Sequence, residues 1–167
     1  SNNKNIKISS NNAHCEDAVN FISVSGSIKN IDINNAVSDG LDLDFSNLKI
    51  LNLNIKNAGN DCLDISAGNY DLINLILDNC KDKGLSMGEK SNAQIKNIKV
   101  VNSNLAIAIK DSSYATVNTF FGDNVDKCLN AYRKKQEFGP VKIQIKKREC
   151  AGLSEDFIQK GSIYAEK

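Results

Sequence analysis

The sequence predicts an all-β fold, a right-handed parallel β-helix (solenoid) with coils of about 22 residues, and three observations lead to this prediction. The first is a repeat: NDCLDISAG from Asn60 is preceded 22 residues earlier by SDGLDLDFS and followed 22 residues later by DKGLSMGEK. The second is an alternation of apolar and polar residues inside each repeat. The third is an asparagine that returns once per repeat. Repeats of this length indicate a solenoid, in which each repeat stacks on the next.

The first strand of each repeat is predicted from columns of residues that recur every 22 positions. A small residue is followed by an aliphatic residue, a mostly polar residue and a second apolar residue. The aliphatic column contains Val19, Leu41, Leu63, Leu85, Ile107 and Leu129, and the polar column contains Asn20, Asp42, Asp64, Ser86, Ala108 and Asn130. This period of two is typical of a strand with one buried face.

A second strand in each repeat is predicted from spaced aliphatic residues such as Ile50, Leu53 and Ile55. Two residues after the last of them comes an asparagine. These asparagines are Asn35, Asn57, Asn79, Asn102 and Asn124, at steps of 22, 22, 23 and 22. Asparagine tolerates the left-handed backbone of a sharp corner, and stacked asparagine side chains hydrogen-bond to one another. We therefore predict an asparagine ladder along one edge of the stack.

The alternative of a leucine-rich repeat fits the repeat length less well. That repeat places its asparagine three residues beyond the last leucine and continues with a helix, whereas here the asparagine comes at plus two and strand follows. We expect about seven coils in one domain, residues 1–167, which we interpret as a fragment of a larger protein. Residues 5–12 are predicted as a partial coil, 130–140 as a protruding loop and 150–167 as an irregular end coil. Solenoid ends need a cover, so we expect the rest of the parent protein or end-to-end association.

Charge and composition limit the classes of protein. Lys and Arg number 21 and Asp and Glu number 20, so the overall charge does not favour nucleic acid as a partner. Apolar runs are only a few residues long, so no membrane span is expected. The five cysteines are Cys15, Cys62, Cys80, Cys128 and Cys150. Their spacing matches neither a zinc site nor a closed disulfide framework, so we expect buried free thiols.

Two rows of aspartates are candidates for chemistry. Asp17, Asp39 and Asp61 lie at the corner before the first strand, and Asp42 and Asp64 lie on its outer side. Neighbouring unpaired carboxylates repel, which raises one pKa as in an acid–base pair, and stacked acids also bind Ca²⁺. The competing interpretation, which we favour, is that corner aspartates accept backbone N–H groups. Beyond the calcium option, the residues predict no metal site and no cofactor.

Four motifs carry a resemblance to a known family. SDGLD from Ser38, NDCLDI from Asn60, DKGLSMG from Asp82 and LAIAIK from Leu105 resemble the coil motifs of the polygalacturonases, a family of pectin-degrading glycoside hydrolases. That family has Asn-Thr-Asp-Gly, Asp-Asp-Cys, Gly-His-Gly-Ile-Ser-Ile-Gly and Arg-Ile-Lys. The resemblance covers about 70 residues. It implies a right-handed β-helix and inverting hydrolysis, with aspartates as acid and base and with His, Arg and Lys holding the uronate.

Carried over residue by residue, the resemblance assigns Asp39 and Asp61 to two of the family's aspartates and Lys110 to its lysine. The departures concern the chemistry itself. Asn60 stands in the place of the proton donor, and an amide cannot protonate a leaving group. Polygalacturonase activity is therefore not expected.

Two other departures affect the groups that would hold the uronate. Lys83 replaces the histidine, and Ala108, which cannot clamp a carboxylate, replaces the arginine. If the chain is a polysaccharide hydrolase or lyase, its catalytic residues are Asp39, Asp61, Lys83 and Lys110.

The chain also resembles the short β-helical modules of bacterial surface and envelope proteins, through NDCLDIS, KGLSMGEKS and LAIAIKDSS. We therefore predict a non-catalytic module of an envelope- or carbohydrate-associated protein that presents a rigid repeat surface to a glycan or a protein. The predicted ligand-binding residues are Asp42, Asp64, Asn60, Ser86, Tyr132, Arg133 and Lys134. The enzyme remains the alternative, and the compartment stays open with the cell surface favoured.

Overall fold

The protein is built from parallel strands that stack turn upon turn. The computed structural model describes residues 4–9 and 15–166, and these residues form eleven strands and no helix. The strands are β1 (Asn5–Ser9), β2 (Asp17–Ile22), β3 (Ser25–Ala36), β4 (Asp39–Ala58), β5 (Leu63–Cys80), β6 (Lys83–Gly88), β7 (Asn92–Lys110), β8 (Tyr114–Tyr132), β9 (Lys142–Cys150), β10 (Phe157–Ile158) and β11 (Ile163–Glu166). They form a parallel β-solenoid of about seven turns with a spacing near 22 residues, which confirms the predicted fold class.

Successive turns lie in the register that the sequence predicts. Leu41 pairs with Leu63, Leu63 with Leu85, and Leu85 with Ile107. All four side chains are fully buried. Because parallel strands lie about 4.8 Å apart, each column of the sequence becomes a stripe along the stack. The aliphatic columns form the core, and the polar column lies on the outer side of the strand, where all its members except Ser86 and Ala108 are at least partly exposed.

The column of small residues allows two sides of the coil to approach closely. A Cβ added at Gly84 would lie 2.5 Å from Val100 Cγ1 and 2.8 Å from the carbonyl oxygen of Ala106. Gly40, two turns earlier, is equally restricted, since its Cβ would lie 2.6 Å from the carbonyl oxygen of Cys62. At Gly40 and Gly84 the first strand therefore begins where no side chain fits.

The predicted asparagine ladder is present with one interruption. Its five asparagines have φ between 49° and 61°. Nδ2 of Asn57 donates to Oδ1 of Asn35 at 2.9 Å, and Asn79 donates to Asn57 at 2.8 Å. Asn102 instead donates to Asp78 at 2.8 Å, and Asn124 then donates to Asn102 at 2.7 Å. The interruption falls at the 23-residue step, where the Asn102 amide turns to the residue before Asn79, although the strands stay in register with Asp78 paired to Val101.

Two further asparagine ladders were not predicted. One connects Asn5, Asn30, Asn52, Asn74 and Asn97 at 2.7–3.0 Å, and the other connects Asn47, Asn69 and Asn92 at 2.9–3.3 Å. Their steps of 22 and 23 residues were visible in the sequence, apart from the 25-residue step that starts the first ladder. Exposed amides thus continue the hydrogen bonding of the backbone along three lines of the stack.

The expectation of buried free thiols is wrong, because four of the five cysteines form disulfides and the fifth is exposed. Cys62 and Cys80 form one disulfide, and Cys128 and Cys150 form a second. Only Cys15 is free, and it is exposed. The partners are 18 and 22 residues apart and lie where the coil returns on itself, with Cα atoms 5.3 and 6.2 Å apart. Sequence spacing does not predict these pairs, because the path of the coil brings them together.

The C-terminal part departs from the regular turns. Residues 133–141 connect β8 to β9 outside the strands, and the short strands β10 and β11 pair with β8 and β9. None of the described residues belongs to a helix that is long and apolar enough to cross a membrane. Residues 1–3, 10–14 and 167 of the predicted domain, which include part of the predicted partial coil, lie outside the described residues.

Candidate functional site

The candidate site is the outer side of the first strand of each turn, which we call the polar face. Its central column contains Asn20, Asp42, Asp64, Ser86, Ala108 and Asn130. A corner row beside it contains Asp17, Asp39, Asp61 and Lys83, and a row on the other side contains Asp44, Ser66, Gly88, Lys110 and Tyr132. The register therefore brings all four predicted catalytic residues and four of the seven predicted ligand-binding residues to one face; Asn60 lies beside the corner row.

The corner aspartates accept hydrogen bonds from the following turn. Oδ1 of Asp39 accepts from the backbone N–H of Asp61 and from Nδ2 of Asn60, each at 2.8 Å. Oδ1 of Asp61 accepts from the backbone N–H of Lys83 at 3.0 Å. Asn60 stands where the polygalacturonase motif has its proton donor, and here its amide donates a hydrogen bond to the carboxylate of Asp39. Asp39 and Asp61 fasten one turn to the next.

Asp61 is also the carboxylate of a half-buried ion pair. Its side chain is 5% exposed, and Lys83 Nζ lies 3.2 Å from Oδ1. Burial raises the pKa of Asp61 to about 6, although the charge of Lys83 opposes the rise. Burial by itself lowers the pKa of Lys83. The hydrogen bond to Asp82 and the charge of Asp61 outweigh this effect, so the pKa is raised. Lys83 therefore stays cationic and is committed to two carboxylates.

The outer aspartates are less compensated. Burial, followed by the charges of Asp44 and Asp64, raises the pKa of Asp42 to about 7. Asn20 Nδ2 is the one side-chain donor recorded for Asp42 among the described residues, at 3.3 Å. Burial also raises the pKa of Asp39, and the hydrogen bonds from the next turn oppose the rise. The N-terminal turns of the polar face therefore carry several carboxylates without a cation of their own.

A buried lysine covers the centre of the face. Lys110 is 8% exposed, and its Nζ donates to Oγ of Ser86 at 2.7 Å. Burial lowers the pKa of Lys110, while the nearby charge of Asp64 raises it in part. The charges of Lys134 and Lys83 lower the pKa of Lys110 further. Ser86 has no exposed surface, which makes it a partner of Lys110 rather than a free hydroxyl.

The C-terminal boundary of the face is aromatic and basic. Tyr132 lies beside Lys110 in register, and its ring contacts Phe157 with centroids 6.4 Å apart. Burial raises the pKa of Tyr132. Arg133 and Lys134 follow in the 133–141 segment with exposed side chains. The predicted ring and basic groups therefore lie beside the polar face.

Several residues of this face were missed from the sequence. Asp111 is 1% exposed, and its Oδ1 accepts the backbone N–H groups of Lys134 and Lys135 at 2.6 and 2.8 Å, which fixes the start of the segment. Asn130 Oδ1 is buried and has no hydrogen-bond partner among the described residues. Asp44 was overlooked although it follows Asp42 by two positions, the period that places both on one side of a strand.

Calcium binding was predicted as an option for the two rows of aspartates. Within residues 4–9 and 15–166, no group of three or more His, Cys, Asp or Glu side chains is arranged to hold a metal ion.

The fold and the polar face define the class of protein as a parallel β-solenoid. No family model, curated protein or solved structure matches the chain. The resemblances to polygalacturonases and to bacterial surface modules therefore stay predictions from short motifs.

Proposed function

We propose that this chain is a non-catalytic β-solenoid module that presents its polar face to a glycan or a protein, within a larger envelope- or carbohydrate-associated protein. The observation that carries the proposal is the use of Asp39 and Asp61. Each accepts two hydrogen bonds through Oδ1, from the next turn of the solenoid. A carboxylate held in this way positions the turn and is a poor proton carrier, since a productive proton transfer would break those contacts.

The other groups of the face suit recognition of a polar polymer. Carboxylates, an ammonium, an amide and a phenol lie on neighbouring turns about 4.8 Å apart, at Asp42, Asp64, Lys110, Asn130 and Tyr132. The carboxylates of Asp42 and Asp64 are half-buried and can accept hydrogen bonds from donors on a ligand. Sugar hydroxyls or peptide N–H groups supply such donors, and a rigid strand face loses little entropy on binding.

The disulfides support an extracytoplasmic location. Two disulfides stabilise the chain, Cys62–Cys80 and Cys128–Cys150. Disulfides persist in oxidising compartments such as the cell exterior and the bacterial periplasm. This agrees with the proposal of a surface or envelope protein. The partners of the chain are then the rest of the parent protein and a glycan at the cell surface.

The test is calorimetric titration of the chain with neutral, polyuronate and sulfated polysaccharides. Binding to at least one class is expected, and Tyr132→Ala combined with Lys110→Met should weaken it about tenfold or more. Lys96→Ala, an exposed lysine on another face, is the matched control. Absence of binding to every glycan and to peptides displayed as a library would contradict the proposal.

A second candidate, a polysaccharide hydrolase or lyase, is favoured by the raised pKa values of Asp39 and Asp61, the latter about 6. In this reading Lys83 or Lys110 is the cationic partner. Reducing-end release and the absorbance of unsaturated products are measured on a polyuronate panel. The enzyme is supported if activity disappears in Asp39→Asn and Asp61→Asn, and it is excluded if the native chain equals these variants.

A further inference from the structure

A corner of the first turns carries apolar side chains that the fold leaves exposed. Ile22 is 61% exposed, Val24 37% and Phe45 60%. The backbone N–H of Ser23 donates to the carbonyl oxygen of Asp44 at 2.9 Å, and the N–H of Val24 donates to Oγ of Ser46 at 3.0 Å. These hydrogen bonds place the three apolar side chains on adjacent turns of one corner. Clustered exposed apolar groups mark interaction surfaces.

The backbone conformation at position 45 is one that disfavours phenylalanine. Its φ is 50°, in the left-handed region, where a bulky residue is disfavoured. The same corner in neighbouring turns has Ser23, Ala67 and Glu89, also at positive φ. Among the described residues Phe45 forms no aromatic-pair or cation–π contact, and it is 60% exposed. Residues that break a local rule without compensation mark functional surfaces.

The charge beside this corner is negative and uncompensated. Asp44 precedes Phe45, and Asp42 lies on the same strand. Neither carboxylate forms an ion pair with a lysine or arginine among the described residues; Asn20 is the recorded side-chain donor to both. A partner of this corner therefore carries a cation next to a site for an aromatic ring.

The C-terminal turns of the same chain offer such a site. Arg133, Pro140, Gln159 and Lys160 line a groove of about 190 Å³. The side chains of Arg133 and Lys160 are exposed and form no ion pair among the described residues. Phe157, which is 50% exposed, lies in the adjacent strand β10. A guanidinium and an ammonium beside a proline ring suit an aromatic ring that is next to a carboxylate.

We propose that the Phe45 corner of one copy of this chain docks into the Arg133–Lys160 groove of a second copy. The corner lies in the second turn and the groove in the last two, roughly 20 Å apart at 4.8 Å per turn, so one chain cannot close the contact on itself. Phe45 packs against Arg133, and Asp44 approaches Lys160. Two copies related by a twofold axis form the contact twice and close a dimer, whereas a head-to-tail arrangement forms it once per pair and generates a ring or a linear chain of copies. The inference does not depend on the ligand of the polar face.

The test is sedimentation equilibrium of the chain from micromolar to millimolar concentration. The average mass is expected to rise above 18.3 kDa with concentration and to fall again at high salt. Phe45→Asn removes the ring and suits the left-handed backbone better, so it should weaken association about tenfold while leaving the fold at least as stable. Ile76→Ser is the control, because Ile76 is an exposed apolar residue outside the Phe45 corner.

A charge exchange tests the pairing itself. Asp44→Lys and Lys160→Glu should each weaken association, and an equimolar mixture of the two variants should recover it. The Lys160→Glu chain keeps a native corner for the native groove of the Asp44→Lys chain, and the exchanged charges are complementary as well. The proposal is overturned if the native chain stays monomeric throughout, or if it associates equally in Phe45→Asn. It is also overturned if a lysine- and arginine-rich peptide binds the Phe45 corner while the chain remains monomeric, since the occupant would then be another protein.

Discussion

At the scale of single residues, the same polar side chains that suggest chemistry hold the turns together. Asn57 adopts a backbone conformation that few residues tolerate and hydrogen-bonds to Asn35 of the preceding turn. Asp39 accepts a backbone N–H of the following turn. Each such contact is modest, about 1 kcal/mol, but leaving its buried partner unsatisfied costs more. Polar columns in a solenoid are therefore first explained by the stacking and only then by ligands.

Asn79 in the middle of the ladder tests this role. Asn79→Ala is expected to lower the free energy of unfolding by roughly 1–3 kcal/mol, because it loses the hydrogen bond to Asn57 and places alanine at positive φ. Asn79→Gly keeps the backbone preference and should lose only the hydrogen bond. Denaturant melts of both variants, with Asn118→Ala on an exposed position as control, separate the two contributions. An unchanged midpoint in Asn79→Ala would argue against the ladder as a stabilising feature.

The raised pKa of Asp42 predicts a dependence of stability on pH. Its pKa rises from 3.8 to about 7 on folding, so the folded chain binds more protons than the unfolded chain between these values. Its contribution to stability is therefore full below about pH 4 and is lost as the pH rises towards 7. Asp42→Asn should stabilise the chain at pH 7.5 by roughly 1–2 kcal/mol, a figure reduced for solvent screening. Thermal melts at pH 4.5 and 7.5 measure the difference, with Asp123→Asn as control; equal gains at both values would contradict the assignment.

At the scale of the elements, each turn is closed by contacts between its two strands. The close approach at Gly84 and Gly40 leaves no space for a side chain. In two turns the approach is covalent, through Cys62–Cys80 and Cys128–Cys150. The long strands therefore bend through corners rather than ending at them, and each turn behaves as one unit.

The disulfides give a prediction with a simple readout. In denaturant without reductant, one thiol per chain should react, that of Cys15, whereas reduction first should expose all five. Replacing Cys128 and Cys150 together with alanine should cost about 2–4 kcal/mol, since the bond closes a loop of roughly 20 residues in the unfolded chain. Thiol titration and denaturant melts check both numbers. Five reactive thiols before reduction would show that the bonds do not form.

At the scale of the whole molecule, stability is distributed along one dimension. Each turn contacts the turns before and after it, and the pairing order follows the chain from β3 to β9 with few exceptions. Such a stack tolerates the loss of a complete repeat but not of part of one, because only a complete repeat preserves the register.

Deletion of one turn tests this property. Removing residues 39–60, which is 22 residues, places Asp61 over Asp17 and Leu63 over Val19. The shortened chain is expected to keep its β-sheet circular dichroism and a cooperative melt at somewhat lower temperature. Removing residues 39–49 alone shifts apolar positions out of the core and should abolish the cooperative melt. If both deletions behave alike, the turns are not independent repeats.

Much of the fold was predictable because the solenoid repeats its local rules. Leu41, Leu63 and Leu85 recur at one spacing, and the positive φ of Asn35 and Asn57 follows from residue type. The corner role of Asp39 was also anticipated as an acceptor of backbone N–H groups. The two additional asparagine ladders were present in the sequence at nearly the same steps and were simply not recognised.

The sequence by itself determined the turn length, the core columns and the parallel stacking, since each depends on residues a constant distance apart. Only the tertiary structure decided how the remaining groups meet. The disulfide partners, the burial of Lys110 on Ser86 and the anchoring of Lys134 by Asp111 join residues at unequal spacings. Such contacts depend on where the coil bends and on the orientation of each side chain, and neither can be deduced from the spacing of the repeat.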